Sequence, residues 1–124
     1  TRREERMADS ALFIGWGAPV RGREQNAAKV FGEAVELWSR LQADGTLESW
    51  SAYFLEPHGG DLQGFFLLHG EREKLALART SEAFETVIQR ADTIIERLGV
   101  VAGATGARIE SEMGRFLQNA AELA

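Results

Sequence analysis

Two histidines and no cysteine occur in the 124 residues. His58 and His69 are therefore the side chains able to move a proton near neutral pH, and thiolate nucleophiles and thiolate metal sites are excluded. His69 closes the run Phe66-Leu67-Leu68-His69-Gly70, and Phe13-Ile14-Gly15-Trp16-Gly17 has the same form: apolar residues, a ring-bearing residue and a glycine. Aligned as two copies of one unit, and taken as adjacent central strands running the same way, they set Trp16 beside His69 at one end of a sheet. Side chains alternate along a strand, so Leu12, Ile14 and Trp16 would share a face with Phe65, Leu67 and His69. Gly15 and Gly64 would lie on the opposite face, where helices could approach closely. A histidine in an apolar pocket beside an indole could act as general base or hydrogen-bond a ligand; equally, it could be a strand-end residue satisfied by backbone or water. His69 is thus the candidate catalytic residue. Trp16, Ile14, Leu67, Tyr53 and His69 are the candidate ligand-binding set, with the face of Tyr53 undecided.

The second histidine lies in Pro57-His58-Gly59-Gly60-Asp61, preceded by Glu56. His58 and Asp61 could form an acid–base pair or supply nitrogen and oxygen to a metal. The same residues are what a tight turn demands, and the structural reading is preferred; no metal site is expected. Gly15-Trp16-Gly17 lacks the Lys and Ser/Thr of a phosphate loop, residues 99–106 lack the spacing of a dinucleotide fingerprint, and no serine sits in a nucleophile elbow.

A formal charge of -5 and basic residues scattered among acids argue against a nucleic-acid partner. No apolar run approaches the roughly 20 residues of a membrane span, so no membrane partner is expected. The lack of cysteine fits a reducing cytoplasm, and the length fits one domain. Residues 1–10 read as an N-terminal tail, with Met7 a natural start and residues 1–6 an appended segment; residues 11–124 read as a single domain.

The elements that must position these side chains follow from periodicity. Residues 11–17 form a short bounded apolar run, a buried strand. Residues 24–44 carry Ala27, Val30, Phe31, Ala34, Leu37, Trp38 and Leu41 on one helical face, a stripe read as ordinary core, and Gly45 predicts the helix stop. Strands are predicted over residues 47–55 and 62–69, joined by the His58 turn. A helical pattern runs over residues 71–98 and is predicted to break at Thr80-Ser81, because hydroxyl residues prefer N-caps to helix interiors. Residues 99–105 form a glycine-punctuated strand, which predicts a bulge. Ile109, Met113, Phe116, Leu117 and Ala120 mark an amphipathic C-terminal helix.

The order β-α-β-β-α-β with an extra C-terminal helix is that of a ferredoxin-like α+β fold: a four-stranded antiparallel sheet with helices on one face. Large apolar residues at both parities of the strands require the second face to be covered as well, and a second copy of the same sheet is the natural cover. The doubled β-α-β arrangement, the helix break at Ser81-Glu82-Ala83-Phe84 and the apolar second face resemble the dimeric α+β barrel superfamily, over residues 11–105. That superfamily includes the YCII-related proteins, the antibiotic-biosynthesis monooxygenases and the stress-responsive barrel proteins. The resemblance implies a homodimer with two sheets face to face around an internal cavity. It does not select an activity, since folds of this kind host many.

Two functional expectations follow. The first is a homodimeric small-molecule-binding or structural protein with an apolar cavity and a small apolar or aromatic ligand. The alternative is a cofactor-independent enzyme, monooxygenase-like or isomerase-like, acting on a small aromatic compound with His69 as base. A haem site would require His58 or His69 to face a cavity large enough for a macrocycle; no cofactor is expected.

Overall fold

The protein is described here by a computed structural model covering residues 9–124; the tail reading for residues 1–8 lies outside the described residues. The element order is β1 (Ser10–Trp16), α1 (Glu24–Ala43), β2 (Ser49–Phe54), β3 (Gly64–Gly70), α2 (Arg72–Arg79), α3 (Glu82–Asp92), β4 (Gly99–Ala104) and α4 (Ala107–Leu123). The strands form one sheet of order β2-β3-β1-β4 with every neighbour antiparallel. This is the ferredoxin-like arrangement, and α1, α2 and α3 pack on one face of it.

Local chemistry sets the boundaries. At the end of α1 the chain turns left-handed at Gly45, with φ +86°, a conformation that is costly for a residue with a Cβ. The second helical stretch breaks where the hydroxyls predict. The Ser81 Oγ accepts from the Phe84 amide at 3.3 Å and donates to the Ala78 carbonyl at 2.7 Å, so one side chain ends α2 and caps α3. Two features differ from expectation beyond shifts of a residue or two at strand ends. α3 stops at Asp92 rather than near residue 98, because residues 94–96 leave the helix to pair with residues 17–20. There the Gly17 amide donates to the Glu96 carbonyl, the Val20 amide to Ile94 and the Glu96 amide to Ala18. Strand β4 carries no bulge: its register against β1 is unbroken from Ser10↔Ala104 to Gly15↔Gly99.

The antiparallel register corrects the relation between the two apolar runs. β1 and β3 do not run the same way: Trp16 pairs with Gly64 and His69 with Ala11, so the indole and the imidazole lie at opposite ends of the strands. They also lie on opposite faces. Leu12, Ile14 and Trp16 stand opposite Leu68, Phe66 and Gly64 and are buried under the helices, whereas Phe13, Phe65, Leu67 and His69 project from the uncovered face. The physical reason is the two-residue period of a strand: a one-residue error in aligning two runs moves a whole set of side chains to the other face.

The core is the helix-covered layer: Leu12, Ile14, Phe66 and Leu68 from the sheet against Leu37, Trp38, Leu75 and Phe84 from the helices. Gly64 is part of its geometry, though not by admitting a helix. A Cβ at that position would lie 2.6 Å from Trp16 Cζ2 and 2.6 Å from the Tyr53 carbonyl oxygen, so the missing side chain is what lets the indole lie across β3. Gly15 likewise makes room for the ring of Phe13, not for a helix.

Candidate functional site

On α1 the inward stripe mixes large rings with alanines: Phe31 and Trp38 alternate with Ala27 and Ala34, and the exposed Ala28 lies at the edge of this stripe. Where the alanines face the sheet, the layers are not filled. They leave an open-mouthed cleft of about 520 Å³, walled by Ile14 and Trp16 of β1, Phe66 of β3, α1, and Val87, Ile88 and Ala91 of α3. Ile95 and Leu98, on the segment that pairs with residues 17–20, line it too, and Phe54 and Leu55 at the end of β2 stand at its rim.

Its interior is an aromatic cluster. The Phe31 ring stacks on Phe66 at 5.1 Å between centroids, Trp16 lies 5.0 Å from Phe66 and meets Phe31 edge-on at 6.1 Å, and Phe54 lies 5.2 Å from Phe31. Trp38 is fully buried at the base of this cluster, edge-on to Phe66 at 5.7 Å. Polar groups are few: Glu24 is the ionisable lining residue and Gln63 the amide. The two helical walls are tied together outside the cleft. Arg90 of α3 donates Nε and Nη2 to the two carboxylate oxygens of Glu33 of α1 at 2.8 and 2.9 Å. That forked hydrogen bond, with the guanidinium charge, holds the Glu33 carboxyl below its ordinary pKa and raises Arg90.

The candidate residues from the sequence divide between two places. Trp16 and Ile14 line the cleft, while Leu67, Tyr53 and His69 lie on the uncovered sheet face and do not. Tyr53 stands opposite Phe65 and stacks on it at 4.8 Å, which decides its face. His69 is opposite Ser49 on one side and Ala11 on the other, with no carboxylate among its strand neighbours. In the turn, His58 Nε2 donates to the Leu62 carbonyl at 2.6 Å and Nδ1 accepts from the Gly60 amide at 3.2 Å. Both ring nitrogens thus serve the turn. Asp61 faces Arg97 at 3.6 Å rather than His58. Among the described residues no group of three or more His, Asp or Glu side chains is placed to hold a metal, and no helix is long and apolar enough to cross a membrane.

The α1 stripe is core, as read, with Ala34, Leu37 and Trp38 buried and Phe31 and Leu41 packed against them; that Phe31 of this stripe, with Phe54 and Phe66 of the strands, also lines a cleft was not foreseen. The available signal was the run of alanines sharing a helical face with large rings, since small residues opposite a sheet leave space. A second groove, of about 510 Å³, lies between α2 and the β1–β4 edge and is lined by Arg72, Arg79 and Arg108. Two of these are already engaged, Arg79 with the Val100 carbonyl at 2.9 Å and Arg108 with the Ser10 hydroxyl.

No known family model matches the chain, and no curated protein sequence does. Solved structures share its fold at low identity. A dimeric ferredoxin-like protein of unknown function from Jannaschia matches with a TM-score of 0.61 and 11% identity, over 77% of this chain and 99% of that one. An antibiotic biosynthesis monooxygenase-like protein from Deinococcus radiodurans gives 0.59 and 10%, over 78% and 92%. A hydroxynitrile lyase from Passiflora edulis gives 0.61 and 9%, over 81% and 96%. At these identities the likeness is one of fold, and that fold is ferredoxin-like.

Proposed function

We propose that the protein is a homodimer that binds one small, largely aromatic molecule per protomer in the cleft between α1, α3 and the sheet. The observation carrying this reading is the cleft itself: about 520 Å³ lined by Trp16, Phe31, Trp38, Phe54 and Phe66. Its size falls within the range of roughly 300–1,000 Å³ typical of small-molecule sites, and aromatic faces favour a flat, ring-bearing occupant. Two uncovered apolar surfaces support the dimer. On the open sheet face Phe13, Phe65 and Tyr53 form a stacked row, with Tyr53 47% and Val101 58% exposed. On α4, Ile109, Met113, Phe116 and Leu117 share a helical face, and none of that helix is buried. Contiguous apolar surface of this kind marks an interaction site, and several proteins of the same fold are dimeric.

Catalysis by His69 draws no support from the cleft, because the imidazole lies across the sheet from it. The fold does accommodate a lyase and a monooxygenase-like protein, but among the cleft's lining residues no acid–base pair is present. Calorimetric titration with naphthalene derivatives tests the reading. Wild type and His69→Ala should bind with one site per protomer, and Ala28→Trp, which fills the mouth, should weaken binding at least about tenfold, the equivalent of ~1.4 kcal/mol. Loss of binding in His69→Ala with Ala28→Trp unaffected would favour the His69 alternative.

A further inference from the structure

The groove of about 510 Å³ beside β4 shares no lining residue with the aromatic cleft. Its floor is apolar and shallow in side chain. Ala102 and Ala104 of β4 pair with Leu12 and Ser10 of β1, which are buried on the helix-covered side of the sheet, and side chains as small as alanine leave the space beside α2 unfilled. One wall is α2, which presents Arg72, Leu75, Ala76 and Arg79 at the spacing of a single helical face. The other is the start of α4, with Arg108 and Glu112 one turn apart.

The register separates the three arginines into two ends. Arg72 follows closely on Gly70, which pairs with Ser10, and Arg108 Nη1 donates to the Ser10 hydroxyl; both belong to the Ser10 end. Arg79 lies seven residues beyond Arg72, about 10 Å along the helix axis. Its Nη2 donates to the Val100 carbonyl at 2.9 Å, and Val100 is four residues, or about 13 Å of strand, from Ala104, the partner of Ser10. A guanidinium carries five N–H donors. Among the described residues Arg79 and Arg108 each direct one at a fixed oxygen, which positions the head group and leaves the other donors to a ligand. The chain carries a charge of -5, yet three arginines here meet one carboxylate, and that carboxylate, on Glu112, is drawn to Arg115 at 3.6 Å. A locally positive concavity in an acidic protein concentrates anions. With basic groups at both ends and Leu12, Leu75 and Ala102 between them, one compact anion would meet only one end.

We propose that this groove binds an elongated dicarboxylate, one carboxylate at Arg72 and Arg108 and the other at Arg79, with an apolar chain lying over the alanine floor. The planar fork of a guanidinium matches a carboxylate at either end.

The test uses four probes at low ionic strength: suberate, succinate, which is too short to reach both ends, octanoate, which has one charge on a chain of equal length, and inorganic phosphate. Calorimetry should give one suberate site per protomer, at least about tenfold tighter than any of the other three, as a second charge-assisted contact would supply. Arg72→Gln changes an exposed side chain and should weaken suberate at least about fivefold without moving the melting temperature. Arg79→Gln also releases the Val100 carbonyl, so wild-type NMR supplies an independent readout: suberate should shift the Nε–H resonances of Arg79 and Arg108 together, and succinate should not shift both. Equal affinities for suberate, succinate and octanoate, phosphate binding as tightly as suberate, an unaltered suberate affinity in Arg72→Gln, or no suberate binding would each overturn the proposal. None of these outcomes bears on the aromatic cleft.

Discussion

At the scale of single residues, the cleft depends on side chains that are absent as much as on those present. Gly64 has no side chain, and Trp16 occupies the space one would need. Gly64→Ala should therefore destabilise the fold by about 1–3 kcal/mol through overpacking, read as a lower denaturant midpoint with an unchanged slope. It should also weaken ligand binding, because the displaced indole is a wall of the cleft. An unchanged midpoint would mean that Trp16 can move aside without loss. The two histidines illustrate what could be read from residue type and what could not. The turn reading of His58 followed from Pro, Gly and Asp around it, and both ring nitrogens do bond within that turn. The expected partnership of Trp16 with His69 failed because residue types do not report which way two apolar runs lie against each other. That is a property of the pairing, seen only in the register Trp16↔Gly64 and Ala11↔His69.

Among the elements, α1 and α3 form the helical side of the cleft, and the Glu33–Arg90 fork joins them. The Glu33 carboxyl is held below its ordinary pKa, first by the Arg90 hydrogen bond. Its contribution is therefore fully present above the unfolded carboxyl value, about pH 4.3, and is lost as pH falls through the lower folded value. Both side chains are solvent-accessible, so the effect should be small and weakened by salt. The melting temperature of Glu33→Gln should sit slightly below wild type at pH 7 and converge with it under acid conditions. A constant gap across pH would assign the loss to packing rather than charge. Two element ends were legible in the chain. The break at Ser81 and the stop at Gly45 are local events, set by a hydroxyl cap and a left-handed glycine. The early end of α3 was not legible, because residues 94–96 are drawn off by pairing with residues 17–20, a contact between segments far apart in sequence.

For the whole molecule, one face of the sheet is covered by its own helices and the other by nothing among the described residues. The same holds for the apolar stripe of α4, where Phe116 is 65% exposed. The antiparallel ferredoxin-like sheet and its two apolar faces were legible from strand periodicity. The cleft was not, since it arises from small residues on one layer meeting large ones on another. The dimer account predicts a dimeric mass by light scattering at micromolar concentration, and truncation after Gly106 should shift that mass towards the monomer or lower the melting temperature. A wild-type monomer would contradict it, and an unchanged mass and melting curve after truncation would remove α4 from the interface. The central claim, that ligand is held under the helices rather than between sheets, is tested most directly by intermolecular NOEs from bound 2-acetylnaphthalene to methyl groups of the protein. The account predicts contacts to Val30, Val87, Ile88 and Ala91, whereas contacts to Leu67 and Val101 on the open sheet face would contradict it.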